Sequence, residues 1–351
     1  MIRRLPALFV LACVLALAMT AVCCAQGAPR QITLDTIRAA QHTPEQQAEI
    51  QAWAKYWCDM LQRDEASAEQ VELARRELMR PLTAVVMPSP TFRGAYSGMV
   101  APQLEPLFKN PGQPHATINA AIVLGEIASR RTLEVLIEHA DVRNEPRRET
   151  RLQAAMNIEK ALKKYGNDQN VIPSRDVGNI VRGVRNSAMR EEDALVLRHL
   201  ILALYAVGTP EARDALRDVV QEVISKIEKH EGISPLIDVY YVIASIHLVD
   251  FPRMGPAEAR EVALANAPLL GRMLTVFADK WEAGHADDAT MRRCGGPIRS
   301  TEALLKLYLV TSNVRAPETA LRQHWEAPNR ELFVNQVNQW LEPLRQPPFS
   351  R

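Results

Sequence analysis

Residues 117–140 read TINAAIVLGEIASRRTLEVLIEHA, and residues 193–229 read DALVLRHLILALYAVGTPEARDALRDVVQEVISKIEK. Each stretch holds an apolar helix pattern, a sharp turn and a second, amphipathic helix pattern. Residues 117–129 are nearly continuous in Ala, Ile, Val and Leu, yet Gly125 stands inside them. A mid-helix glycine costs about 1 kcal/mol, so its presence points to close helix–helix contact. Residues 133–140 complete that pair. Between the two stretches, residues 149–165 put Leu152, Ala155, Met156, Ile158 and Leu162 on one side of a helix. Gly166 and Asn167 stop it, and residues 175–185 supply its partner. Residues 191–207 repeat the first role. Gly208 then suits a helix C′ position, Thr209 an N-cap and Pro210 the N1 position of the helix over 211–229.

The first helices start near Thr117, Glu149 and Glu191, at intervals of about 32 and then about 42 residues. AAIVLGEIA resembles the repeat unit of HEAT and armadillo proteins, and AAMNIEKAL and HLILALYAVG match it in part. The resemblance covers residues 92–229. It implies an all-α chain, a right-handed HEAT-like superhelix of stacked helical pairs, with residues 91–230 as the array. Residues 26–90 then form an N-terminal helical cap and residues 231–351 a C-terminal helical region. On such a fold the second helices line the concave face, where Glu134, Arg182, Arg185, Arg213 and Arg217 are the expected contacts for a protein or peptide partner.

Before the array, Thr43-Pro44-Glu45-Gln46 reads as a capping box with proline at N1. It opens a helix carrying Ile50, Trp53, Ala54, Trp57 and Met60 at helical spacing. A second helix is expected over 66–79, with Val71, Leu73, Ala74 and Leu78. LTAVVM, bracketed by prolines, suits a buried connector or short strand, and residues 95–109 suit a pair of short helices. After the array, helices are expected over 235–249, 258–281, 302–310 and 330–344. Residues 282–299, containing GHADDATMRRCGG, are the expected surface loop.

Residues 1–25 carry Arg3 and Arg4, then an uncharged apolar run, then VCCAQG, where Cys23 and Ala25 suit the −3 and −1 positions of a signal-peptide cleavage site. Export to the periplasm or medium is expected, with a lipoprotein or an uncleaved anchor as alternatives. Removing 25 of 351 residues leaves 326, with 40 basic against 41 acidic side chains once Arg3 and Arg4 are gone. That balance argues against nucleic acid as a partner. Cys58 and Cys294 remain, and an oxidising compartment allows a bridge between them; two buried free thiols are the alternative.

Chemistry-bearing residues are sparse. His199 and His247 read as satisfied residues of apolar helices, and His139 near a helix end suits the dipole. His285, Asp287 and Asp288 beside Glu282 form the one local cluster with metal or acid–base potential. Arg292, Arg293 and Arg299 around Cys294-Gly295-Gly296-Pro297 suggest an anion site, in which the arginines lower the thiol pKa. REEDALV (residues 190–196) reads as a solvated helix face. No GxSxG, HExxH, P-loop, dinucleotide or CxxC motif occurs, so no cofactor is expected. The leading expectation is an exported scaffold. An all-helical hydrolase or lyase with a cleft near 282–299, and a structural envelope protein, are the alternatives.

Overall fold

The computed structural model describes residues 28–84, 88–110, 112–167, 172–285, 287–318, 320–326 and 330–349. The expected leader, residues 1–25, lies outside them. Among the described residues the chain is all-helical, with no strand. We number the helices α1 (Leu34–Arg38), α2 (Pro44–Leu61), α3 (Ala68–Thr83), α4 (Pro90–Lys109), α5 (Pro114–Ile127), α6 (Arg130–Ala140), α7 (Arg148–Asn167) and α8 (Ser174–Arg190). There follow α9 (Ala194–Val207), α10 (Pro210–Lys229), α11 (Leu236–Asp250), α12 (Pro256–Glu282), α13 (Asp288–Thr311), α14 (Leu321–Glu326) and α15 (Arg330–Leu341). No described helix is long and apolar enough to cross a membrane. The chain divides into two compact units, between Val123 and Leu124.

In the first unit α2 packs on α3 and α4. Its capping box forms as expected: Thr43 and Gln46 each bond the other's backbone N–H. Ile50, Trp53, Ala54 and Trp57 are buried, while Met60 is half-buried and Leu61 takes the inner position. Two buried polar groups of this unit find backbone partners. Trp53 Nε1 donates to the Glu77 carbonyl at 3.2 Å and the Tyr96 hydroxyl to the Leu78 carbonyl at 2.6 Å.

Two expectations change here. The helix expected over 66–79 continues through Pro81 to Thr83, absorbing the start of LTAVVM, whose residues 85–87 lie outside the described set. The expected pair of short helices is one continuous helix, α4, running through Pro102 and Pro106. Phe92, Tyr96, Val100, Leu104 and Leu107 recur every three or four residues and keep one face buried throughout. Both prolines sit on the exposed side, where carbonyls deprived of their helical donor turn to water.

The second unit is built in two layers. The first helices α7, α9, α11 and α13 pack each against the next, and the second helices α6, α8, α10 and α12 do the same. Gly208 at φ 70° ends α9 in the left-handed conformation, and the Thr209 hydroxyl accepts the Ala212 N–H to start α10. Gly125 explains itself by contact: a Cβ there would lie 2.7 Å from the Asn157 Cβ and 3.0 Å from its carbonyl oxygen. Gly125→Ala is therefore expected to cost about 1–3 kcal/mol, despite alanine's better helix propensity. A thermal melt with an unchanged midpoint would show that α5 and α7 can part freely.

Neighbouring pairs are also tied by charges 33 to 49 residues apart in sequence. Arg130 reaches Asp176 at 3.1 Å, Arg190 reaches Asp141 at 2.7 Å and Arg185 reaches Asp218 at 2.8 Å. His199 Nδ1 lies 2.5 Å from Glu159, and Lys160 lies 3.0 Å from Glu126. The innermost tie is Arg151 to Glu191. Both side chains are buried; Arg151 Nε donates to Glu191 at 2.8 Å, and its Nη1 donates to the carbonyls of Glu145 and Pro146. Glu191 also accepts the N–H groups of Glu192 and Asp193. The reading of residues 190–196 as a solvated face is thus corrected. α9 starts at Ala194, capped by Asp193, and Glu191 is turned inward to hold the preceding turn.

Candidate functional site

Clefts open between the second helices. One, of about 280 Å³, lies between α6 and α8 and is lined by Glu134, Ile137, Asp141, Asn179, Gly183 and Arg190 among others. Burial pushes the Asp141 carboxyl up, but hydrogen bonds from Arg143 and the Arg190 charge outweigh that and hold it below the usual range. A second cleft, also about 280 Å³, joins α8, α10 and α12 through Arg185, Met189, Asp218, Glu222 and Arg272. Both are open and lined by charged side chains, with Ile137 and Ile180 adding apolar surface to the first.

A third cavity differs in kind. It measures about 320 Å³ and lies among α10, α11, α12 and α13, with Tyr205 of α9 also on its wall. Leu216, Val220, Ile243, Ala244, Val262, Ala265, Leu269, Leu270 and Leu304 make it largely apolar. Arg213, Asp214, Arg217, Glu258 and Glu261 line it with charge, and all are at least partly exposed, which puts them at its mouth. At the inner end the Tyr240 hydroxyl bonds Thr301 at 2.8 Å and the Tyr308 hydroxyl bonds His247 Nδ1 at 3.4 Å. Burial holds the His247 pKa below its ordinary value, so the imidazole stays neutral.

Four of the five sequence-derived contacts fall along these openings. Glu134 lines the first and is paired with Arg130 at 2.7 Å; Arg185 lines the second, tied to Asp218. Arg213 and Arg217 stand at the mouth of the third, paired with Glu258 and Asp214 respectively. Arg182 is exposed on α8 and has no ion-pair partner among the described residues. Four of the five are therefore already neutralised within the chain. The cavity itself left one trace in the sequence, the long apolar face of α11, which reads as plain core.

The expected loop at 282–299 is largely helix. Asp287 caps α13, its carboxylate accepting the Thr290 N–H at 2.7 Å, and that bond holds its pKa low. Asp288 begins the helix, and its side chain lies outside the described set. His285 precedes the cap, at the end of the turn after α12. Among the described residues no group of three or more His, Cys, Asp and Glu is arranged to hold a metal ion. Arg292 and Arg299 are exposed, and Arg293 forks onto Asp238 at 2.7 and 3.1 Å. Gly295 and Gly296 lie within α13, so their N–H groups belong to a helical segment and not to an anion-binding loop. Cys294 is buried, and its thiol is pushed up to about 12 by desolvation, opposite to the expected lowering. Burial raises the Cys58 thiol too. Both cysteines are buried free thiols, the alternative considered from sequence.

Most of the shifted carboxylates, and His247, set one direction for pH; Glu302, raised by burial, opposes it. Glu126, Asp141, Glu145, Glu159 and Asp193 are all held below their ordinary values: burial opposes this, and bonds from Lys164, Arg143, Arg147, His199 and Arg148 respectively outweigh it. His247 is depressed by burial. For each of these groups the unfolded chain binds more protons, so stability rises with pH. The melting temperature is expected to fall as pH drops below about 6.5, where His247 begins to charge in the unfolded chain, and more steeply below about 4.5 as carboxylates protonate. A melting temperature flat between pH 7 and 4 would contradict this.

No protein-family model, curated protein or solved structure matches the chain.

Proposed function

We propose that this chain is an exported helical-repeat scaffold, a right-handed superhelix that holds another protein or peptide along its second helices. The observation that carries the reading is the succession of open clefts between α6 and α8 and among α8, α10 and α12. Repeated clefts on one layer offer an extended partner equivalent grips, which is how stacked helical pairs hold polypeptides. Arg182 lies on the helix shared by both clefts and contributes an uncommitted charge. The remaining charges are in surface pairs worth roughly 0–1 kcal/mol each, so a partner exchanges them at small cost.

Site-specific photocrosslinking in the native host tests this. A photoreactive residue at Arg182 or Arg185 is expected to capture one discrete partner, and the same residue at exposed Met156 of α7 is expected to capture none. Equal labelling at all three positions would sink the scaffold reading. The mass of the protein recovered outside the cytoplasm, expected to begin at Gln26, tests export separately; a lipid increment on Cys23 or Cys24 would overturn the soluble form.

A further inference from the structure

The cavity among α10, α11, α12 and α13 is not one of the clefts that carry the scaffold reading, although Arg213 and Arg217 stand at its mouth, and its interior is more apolar than either cleft. This space, about 320 Å³, is roughly tenfold the ~30 Å³ share of one liquid water. Its inner wall offers little to water. The Tyr240 hydroxyl is committed to Thr301, and the Tyr308 hydroxyl to His247. Ile243, Ala244, Leu270 and Leu304, all buried, line the same space. Besides Asn266 and the His247 ring, the wall offers water few of the two to four polar partners that hold it, and an empty space forfeits the dispersion contacts of every side chain around it. An apolar guest resolves both. The volume lies at the lower end of the about 300–1,000 Å³ usual for small-molecule sites.

The mouth sets the other end of the guest. Arg213 is paired with Glu258, and Arg217 with Asp214 at 2.9 Å. Glu261 lines the same opening, is exposed, and has no basic partner among the described residues. The two arginines against three carboxylates leave one negative charge in excess. An anionic head group would have to displace Glu258 or Asp214 from its arginine and would then face Glu261. A cationic one meets Glu261 with both existing pairs intact.

We infer that this cavity binds a small amphiphile, with an uncharged hydrocarbon or aryl body inside and a cationic head at Glu261. The inference is independent of the scaffold reading, because its site and its readout involve neither Arg182 nor those clefts.

The purified full chain is titrated with N-phenyl-1-naphthylamine, a neutral fluorophore that brightens in apolar surroundings. The probe is then displaced with decylamine, decanol or decanoate at neutral pH, below their aggregation limits. Saturable enhancement is expected, with decylamine displacing the probe at about two- to fivefold lower concentration than decanoate, the scale of one exposed ion pair. Glu261→Gln is expected to abolish that preference while leaving probe binding intact. Ala265→Phe places a ring in the cavity and is expected to abolish probe binding with helicity retained. Val262→Phe, one turn earlier, serves if the first variant does not fold. No enhancement, or enhancement unaffected by the filling variants, would overturn the site. Equal or tighter binding of decanoate, or a preference that survives Glu261→Gln, would overturn the cationic head.

Discussion

Replacing Arg151 with methionine is expected to lower the stability of the second unit by about 3–5 kcal/mol. Methionine fills much of the same space, so packing alone predicts a modest change. The larger cost comes from what is left behind. Glu191 is 1% exposed, and without Arg151 its carboxylate retains two backbone N–H donors but loses its ion-pair partner. The carbonyls of Glu145 and Pro146 lose their donor as well. For a unit of this size the loss corresponds to a drop of roughly 6–20 °C in melting temperature. Pairing Arg151→Met with Glu191→Gln should recover part of it, since a neutral amide is cheaper to leave unpaired than a charge. The double-mutant cycle measures that recovery, and additive losses would show that the two side chains act separately.

Trp325→Ala should cost about 3–5 kcal/mol in the same unit. The indole is fully buried, with ring centroids 4.5 Å from Trp281, 5.1 Å from Phe333 and 6.2 Å from Phe277. Its Nε1 donates to the Met291 carbonyl at 2.9 Å. One side chain of the six-residue α14 thus joins α12, α13 and α15. A helix that short does not hold itself together, so the substitution should release α14 and α15 before the rest melts. Near-UV circular dichroism should lose its aromatic signal at an earlier transition than the far-UV helical signal. Coincident transitions would show instead that the terminal helices are cooperative with the layers.

The helices were legible wherever the chain states its boundaries locally. Thr43 with Gln46, and Gly208-Thr209-Pro210, are complete instructions within four residues, and both form as read. Periodicity was less dependable where two faces are apolar. Met156 reads as part of the α7 stripe, yet it is 40% exposed, and Asn157 beside it is buried against Gly125. Prolines and glycines misled in both α4 and α13; in α4 both prolines sit on the exposed side, which spacing does not reveal. Glu191 was the deepest miss. Its partner lies 40 residues upstream, so no local pattern separates it from the exposed charges beside it. The cavity was hidden for the same reason: its wall is drawn from five helices, each of which looks like ordinary core.

Ties that reach 33 to 49 residues back along the chain also bear on how the second unit is made. Each new helical pair finds its docking surface on the pair just completed, and closing so short a loop costs little entropy. Such a chain can assemble vectorially, one pair after another, while its C-terminal part is still being synthesised. Pulled from its C-terminal end, it should yield in a series of force peaks, each releasing about 40 residues of contour.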